Sequence, residues 1–347
     1  MPSIDHAIEV EAERLLRSLM HVECDPRGRP WNYETCREIA PLTIEINRLK
    51  REKNAVILTH SYVEPEIAYG VGDFKGDSYY LSLQAKKSKA EMIVFAGVVF
   101  MAETAKILSP HATVVVPDRG SGCSLADSIS GEDVRRLKAL YPDATVVCYI
   151  NSTAEVKAES DVCVTSGNVH DIVAALPARR IIFVPDRLMA ENLRAELKRR
   201  GVAKVIISSD GTCLVHDEFT VEQVAAARAQ FPGLKVVAHP ECPAGVAAAA
   251  DFVGSTGAMM KYVKATDAPY FLMLTECGLV GRLEVEAPGK KFIGGCRLCP
   301  YMKLNSLEKV RAALAAPRPD QIVTLDEALR VRAARCLERM FELGPKD

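Results

Sequence analysis

Short apolar segments recur along the chain in a fixed order, each followed by a stretch with helical periodicity. The first set is 55–60 (AVILTH), 145–151 (TVVCYIN) and 235–240 (KVVAHP), which are rich in β-branched residues and end in polar or aromatic ones. The later sets lie at 72–78, 160–166 and 250–256, at 92–97, 181–186 and 270–275, and at 113–118, 204–210 and 290–295. The pattern predicts three α/β repeats with four strands each.

The spacing of polar landmarks supports a true internal repeat. The landmarks are the ends of the first strands (His60, Asn151, His239), the ends of the second strands (Ser78, Ser166, Thr256) and a cysteine after each fourth strand (Cys123, Cys213, Cys299). Successive members of each set lie 86 to 91 residues apart. Any α/β chain repeats its strands loosely, but here strand order, residue type and spacing agree, which favours a repeat.

Strands that alternate with helices predict parallel sheets covered on both faces. We expect an α/β fold of three homologous three-layer αβα sandwich domains, each with a four-stranded parallel sheet, around a pseudo-threefold axis. The expected segments are 1–126, 127–216 and 217–303, followed by a helical segment at 304–347 that packs back on the body. Functional residues are expected at the carboxyl ends of the strands, where open α/β sheets bind ligands.

Composition narrows the function classes. The 347 residues are 48% hydrophobic, and 44 basic against 45 acidic residues leave a net charge of -1, which gives no general field for nucleic acid. The first twenty residues have the pattern of an amphipathic helix rather than a signal peptide, and no apolar run suits a membrane span, so we expect a cytoplasmic protein. No P-loop or GxGxxG follows a strand, which disfavours ATP and NAD.

The cysteines are the most informative residue type, and all eleven are expected to be reduced thiols. Cys123 (GSGCSLAD), Cys213 (DGTCLVHD) and Cys299 (CRLCPYM) lie in loops with small neighbours. Three thiolates are too few to close a tetrahedral zinc site, but they suit an iron–sulfur cubane with one open iron that acts as a Lewis acid. The other eight are expected to be structural, except that Cys296 with Cys299 also fits a redox pair or half a zinc site.

Polar residues at the strand ends offer acid, base and anion-binding chemistry. Those after the first strands are His60, Tyr62, Tyr149, Asn151, His239 and Glu241. Those after the second strands are Ser78, Ser166, Ser255 and Thr256, whose hydroxyls either bind carboxylates and phosphates or cap the following helix. His216 follows Cys213 by three residues and is expected near the proposed metal.

Several of these segments resemble the signature stretches of the quinolinate synthase family. They are GSGCSLAD, INSTAEVKAESDVCVTSGN (150–168), GTCLVH, AHPECPAGV, GSTGAM (254–259) and CPYM, and the similarity runs in order from about Val56 to Met302. The resemblance implies three domains and a 4Fe–4S cluster on three cysteines. It also implies condensation of iminoaspartate with dihydroxyacetone phosphate to quinolinate, with loss of phosphate and two waters, in de novo NAD biosynthesis.

The resemblance also implies roles for individual residues. The cluster ligands fall on Cys123, Cys213 and Cys299, and the acid–base residues on Tyr62 and Glu241, with His239 as a further catalytic residue. The carboxylates of iminoaspartate or of the product are expected on His60, Ser78, Tyr149, Asn151, Ser166, His239 and Thr256. Glu241 is a further expected substrate-binding residue. An L-aspartate oxidase or dehydrogenase is the expected upstream supplier through transient coupling, and neither nucleic acid nor a membrane is an expected partner.

Two other functions fit the sequence less well. An iron–sulfur redox sensor without catalysis needs no anion pocket, so the polar strand ends argue against it. A zinc-dependent lyase is also conceivable, with Cys296, Cys299 and His216 as ligands. An anaerobic assay of quinolinate formation distinguishes the redox sensor from an enzyme. The iron content distinguishes the zinc-dependent lyase from an iron–sulfur enzyme.

Overall fold

The structure is a computed structural model that describes residues 4–344. It contains three four-stranded sheets in which every strand pairing is parallel, as predicted. The strands are β1 (Ala55–His60), β2 (Phe74–Gly76), β3 (Met92–Ala96), β4 (Thr113–Val115), β5 (Thr145–Tyr149), β6 (Val162–Val164), β7 (Arg180–Val184), β8 (Val205–Ser208), β9 (Lys235–Ala238), β10 (Phe252–Val253), β11 (Phe271–Leu274) and β12 (Phe292–Ile293). The sheet orders are β2-β1-β3-β4, β6-β5-β7-β8 and β10-β9-β11-β12. The same order in all three confirms the predicted repeat.

Helices flank the sheets, which makes each repeat an αβα unit of the predicted class. They are α1 (Ile4–Leu19), α2 (Tyr33–Glu52), α3 (Pro65–Gly70), α4 (Ser78–Lys87), α5 (Val99–Leu108), α6 (Gly131–Leu140), α7 (Ala154–Glu159), α8 (Val169–Ala175), α9 (Arg187–Arg199), α10 (Val221–Gln230), α11 (Ala244–Ala249), α12 (Thr256–Ala265), α13 (Cys277–Glu286), α14 (Leu307–Ala315) and α15 (Glu327–Leu343). Within residues 4–344, none of these helices combines the length and apolar character that a membrane span needs.

An aspartate at the start of each second strand repeats one hydrogen-bond pattern in all three repeats. The carboxylates of Asp73, Asp161 and Asp251 each accept the N–H of a residue in the neighbouring first strand at 2.8 Å. Their own N–H groups donate to that same residue's carbonyl oxygen at 2.8 to 2.9 Å. A charged acceptor strengthens such a bond. The aspartates therefore fix the edge strand against the central strand in each sheet.

The described chain divides into two compact units. Unit 1 comprises residues 4–121, Glu276–Lys291 and Leu298–Val323, and holds the first sheet. Its helices α1 and α2 pack on each other through a core that includes Leu15, Leu19 and Trp31, and α14 packs on α2. This division does not test the boundaries at 126, 216 and 303, which stay predictions.

Unit 2 comprises Gly122–Thr275, Phe292–Arg297 and residues 324–344, and holds the second and third sheets. One of its cores lies around β9 and β11 and includes Phe219, Val236 and Leu274. The C-terminal helix α15 packs on α7 and β6. The polar ends of β5 and β9, singled out from the sequence, therefore belong to one compact unit.

Candidate active site

The turn after β9 places two predicted catalytic residues in the interior of unit 2. His239 and Glu241 are 3% and 2% exposed. The N–H of Glu241 donates to Nδ1 of His239 at 3.4 Å, so the neutral ring carries its proton on Nε2. Burial lowers the pKa of His239 to about 3. His239 is therefore a neutral hydrogen-bond donor at physiological pH.

Glu241 is the centre of a buried hydrogen-bond network. Its Oε1 accepts the phenol hydroxyl of Tyr149 at 2.5 Å and lies 3.5 Å from the amide nitrogen of Asn151, while Oε2 lies 2.8 Å from Nδ1 of His216. Burial alone raises the pKa of a carboxyl group. Hydrogen bonds from His216 and Tyr149, together with the two adjacent imidazoles, outweigh burial and hold the pKa of Glu241 below its usual range. Glu241 is thus a buried carboxylate that stays ionised.

His216 connects this carboxylate to a predicted cluster cysteine. Its Nδ1 also lies 3.2 Å from Sγ of Cys213, and its Nε2 lies 3.0 Å from the hydroxyl of Thr275. The rings of His216 and His239 stack with centroids 4.6 Å apart. Because an ionised carboxylate only accepts, Nδ1 of His216 carries the proton that faces Glu241. Thr275, which the sequence analysis missed, ends the third strand segment of its repeat.

The loops of Cys123 and Cys213 adjoin each other in unit 2. The hydroxyl of Ser124 donates to the carbonyl of Thr212 at 3.1 Å and accepts the N–H of Leu214 at 3.2 Å. Burial raises the pKa of the Cys213 thiol, and the nearby charges of Glu241 and Cys123 add to that rise. The two loops therefore bring two of the predicted ligands together. A cationic metal centre bound there would favour the thiolate form of Cys213, which burial and these charges disfavour.

Two predicted substrate-binding residues in unit 2 present buried polar atoms that lack a hydrogen-bond partner among the described residues. They are Oδ1 of Asn151 and Oγ1 of Thr256. Thr256 is the first residue of α12, and Ser255 is the residue that caps this helix. A Cβ on Gly167 would lie 3.3 Å from Oγ of Ser255, so the loop that contains partly exposed Ser166 adjoins the start of α12. Unpaired buried polar atoms are costly, so these two atoms are available to a bound polar molecule.

In unit 1 the turn after β1 has the same form as the turn after β9. The N–H of Tyr62 donates to Nδ1 of buried His60 at 3.2 Å, and the two rings meet edge to face at 4.6 Å. A Cβ on Gly278 would lie 2.6 Å from the backbone of Tyr62, so α13 can approach this turn only with glycine there. Ser78 is the first residue of α4 rather than its cap, because Asp77 caps the helix.

Cys299 is anchored by a buried ion pair within unit 1 that the sequence analysis missed. Glu276 is 0% exposed and accepts the N–H of Cys299 at 3.1 Å. Nζ of Lys303 lies 3.2 Å from the same carboxylate oxygen and donates to the carbonyl of Tyr62 at 3.0 Å. Burial raises the pKa of Glu276 against the opposing charge of Lys303. The pair thereby connects two predicted site residues, Cys299 and Tyr62.

The oxidation state of the cysteines differs from the prediction at two positions. Cys277 and Cys296 are disulfide-bonded, so the expectation of eleven reduced thiols is wrong. Cys299 is a free cysteine and does not pair with Cys296. A disulfide sulfur is no thiolate ligand, which removes a donor from the zinc alternative. Cys123, Cys213 and Cys299 are partly exposed, whereas Cys24 is exposed and the other described cysteines outside disulfides are buried.

Known proteins resemble this chain over most of its length. A family model described as Quinolinate synthetase A protein (NadA) matches residues 44–342. Quinolinate synthase from Caulobacter vibrioides strain NA1000 / CB15N is 46% identical over 310 residues, which cover 88% of this chain and 83% of that protein. Quinolinate synthase 2 from Mesorhizobium japonicum is 47% identical over 293 residues, which cover 84% and 88%. Quinolinate synthase from Xylella fastidiosa strain 9a5c is 45% identical over 298 residues, which cover 86% of each.

These matches confirm the resemblance that the sequence motifs indicated. The family model covers far more than half of the chain, and the relatives are aligned along most of their own length as well. The chain therefore belongs to the quinolinate synthetase A protein family.

Proposed function

We propose that this chain is a quinolinate synthase that condenses iminoaspartate with dihydroxyacetone phosphate to quinolinate, releasing phosphate and two waters. The reaction balances without an oxidant or a reductant, so it needs only binding, proton transfer and activation of leaving groups. The observation that supports it is the buried carboxylate of Glu241, paired with Tyr149 and His216 beside the unsatisfied atom of Asn151. A proton acceptor next to unsatisfied polar atoms suits a small polar substrate.

The proposed binding groups match the charges of the reactants. Iminoaspartate carries two carboxylates, and neutral His239 offers an N–H donor from Nε2 for one of them. Thr256 and the free N–H groups at the start of α12, a ten-residue helix, suit another anionic group. Ser166, in the adjoining loop, adds a hydroxyl. His60 and Ser78 are the corresponding candidates in unit 1, at the end of β1 and at the start of α4.

The cysteines fit a 4Fe–4S cluster with three protein ligands. Cys123 and Cys213 lie in adjoining loops, and Cys299, the third proposed ligand, is partly exposed as they are. Partial exposure suits a cofactor that must meet a substrate. When bound, such a cluster supplies a Lewis acid at its open iron.

The proposed proton transfers follow from the hydrogen bonds of Glu241. The carboxylate takes a proton from a carbon next to a carbonyl or imine, and Tyr149 stabilises its charged form beforehand. Tyr149 donates to Oε1 and His216 faces Oε2, so these two contacts fix the orientation of the carboxylate. Tyr62 acts as the second acid–base group, with its backbone held by Lys303 and by the turn at His60. Both residues act repeatedly, because isomerisation, ring closure and dehydration each move a proton.

The test is an anaerobic assay of purified protein with iminoaspartate generated in place and dihydroxyacetone phosphate, following quinolinate and phosphate together. Glu241→Gln keeps the size of the side chain but removes the base, and we expect kcat to fall about 10²- to 10⁴-fold. Glu338→Gln, at an exposed position of α15, is the matched control and should keep full turnover.

Three outcomes would overturn the proposal. Wild-type protein with its full iron content that makes no quinolinate would fit the redox sensor instead. Active protein with zinc and no iron would exclude the cluster. Undiminished turnover by Glu241→Gln with an intact cluster would remove the assigned base. The proposed setting is the cytoplasm, with iminoaspartate handed over by an L-aspartate oxidase or dehydrogenase, and without nucleic acid or membrane as partners.

A further inference from the structure

Three cysteine side chains converge in the core of unit 2, apart from the predicted cluster cysteines. Cys148 and Cys163 are partners in register on the neighbouring strands β5 and β6, and Cys336 lies on α15, which packs over β6. All three residues are 0% exposed and free of disulfides. Their Sγ atoms lie within 4.8 Å of one another, and those of Cys148 and Cys336 are 3.4 Å apart.

The donor chemistry of this three-thiol group is selective. It contains no histidine and no carboxylate, and thiolates bind soft ions such as Cu⁺, zinc or iron in clusters. Zinc requires a fourth ligand, which this sealed group does not contain. A cubane requires its cysteines to reach different irons with inorganic sulfide between them, whereas sulfurs this close leave room for a single ion. We propose that Cys148, Cys163 and Cys336 form a closed, three-sulfur site for one soft monovalent cation, with Cu⁺ as the ion to test.

The spacing of the sulfurs suits three-coordinate binding. With metal–sulfur bonds of about 2.3 Å, a trigonal ion places its ligands about 4 Å apart. The sulfurs of Cys148 and Cys336, 3.4 Å apart, are slightly closer than that, and all three sulfurs lie within 4.8 Å of one another. Small side-chain rotations therefore suffice to bind the ion, and the strands do not have to move.

A buried positive charge lies next to the group. The ion replaces the thiol protons, which pass to solvent, and the three thiolates then carry more negative charge than one Cu⁺ neutralises. Lys157 on α7 is 0% exposed, its ammonium group donates to the carbonyls of Ile150 (2.8 Å) and Ser152, and its charge acts on Cys148 and Cys163. A buried charge needs compensation, so Lys157 and a thiolate-bound ion stabilise each other.

Binding should connect α15 to the second sheet. The helix carries Cys336 and is the last described element of the chain, so it can separate from β6 and α7 without disrupting a strand. Such opening gives an ion access to a core that is otherwise sealed. Once bound, the ion joins β5, β6 and α15, and separation of the helix then requires loss of a metal–sulfur bond.

The experiment uses the full chain with its iron–sulfur cluster assembled, so that the predicted cluster cysteines are occupied by iron. Under nitrogen, Cu⁺ is titrated in competition with a chromophoric Cu⁺ chelator, and X-ray absorption at the copper edge counts the sulfur ligands. We expect one tightly held copper with three sulfurs. Cys336→Ser should lose it, and Cys36→Ser, which changes a buried cysteine of α2 outside the group, should retain it.

Hydrogen exchange on the wild-type protein provides a test that needs no variant. Copper should slow exchange in α15 at least about tenfold while leaving α1 and α2 unchanged, because the ion stabilises only the closed state of the last helix. The proposal fails if wild-type protein holds no tight copper, or if copper has two sulfurs or a nitrogen ligand. It also fails if Cys336→Ser keeps the three-sulfur spectrum, or if exchange in α15 does not change.

Discussion

The buried imidazole of His239 predicts a specific loss of stability in mild acid. Its pKa in the folded protein is about 3, against an ordinary value of 6.5, so between these values the unfolded chain binds the proton more readily than the folded one. The unfolding free energy should therefore be intact above about pH 6.5 and fall by about 1.4 kcal/mol per pH unit below it. The full difference is about 5 kcal/mol as an upper limit, of which about 3 kcal/mol is lost by pH 4.5.

Urea unfolding followed by far-UV circular dichroism at about pH 7.5 and pH 4.5 measures this loss. His239→Gln cannot be protonated, so acid should destabilise the wild type more than the variant by about 3 kcal/mol, or about 1 M in the urea midpoint. His111→Gln, at an exposed position, should behave as the wild type. If the difference in unfolding free energy between wild type and His239→Gln is the same at both pH values, the reasoning about this imidazole is refuted.

Three further predictions follow from other side-chain contacts. Asp161→Asn keeps an acceptor oxygen but removes the charge from the hydrogen bond to the neighbouring strand, and should cost about 1 kcal/mol in urea unfolding; no change would contradict a role for the charge. Tyr149→Phe removes the hydroxyl that holds Glu241 and should lower kcat/KM about 10- to 100-fold in the anaerobic assay, whereas wild-type kinetics would contradict it. Lys303→Met leaves Glu276 buried without its cation and should destabilise the protein by about 3 to 5 kcal/mol in thermal unfolding; an unchanged midpoint would show that the pair is dispensable.

The sequence predicted strand order well and the shortest strands poorly. The observed bounds of β1, Ala55–His60, match the predicted segment, because an apolar β-branched run ends there in a polar residue. The third-repeat segment 290–295 keeps only Phe292 and Ile293 as a strand, since Gly294 and Gly295 follow and Gly295 adopts a φ of +101°. Segment 72–78 is shortened because Asp73 and Asp77 bond to neighbouring backbone instead of continuing the ladder.

For the proposed site, the sequence suggested individual residues but not their hydrogen-bond partners. Tyr149, Asn151, His239 and Glu241 were predicted because they lie at the ends of the first strands of their repeats. The structure places all four in unit 2. The hydrogen bond between Tyr149 and Glu241 joins residues 92 positions apart, so only the folded sheets reveal it. The same holds for Cys336, which was expected to be structural. A cysteine in a helix pattern does not show which strands it faces.

The three aspartates at the starts of the second strands allow one contact to be compared at three positions. One bond, from a carboxylate to a central-strand amide at 2.8 Å, occurs in three different charge surroundings. Asp251 also pairs with Arg228 and Lys235, and Asp73 pairs with Lys50, whereas no cation of the described chain forms a salt bridge with Asp161. Replacing each aspartate in turn by asparagine would measure the same contact three times in one molecule. The differences would show how far flanking cations change the contribution of this hydrogen bond to the free energy of unfolding.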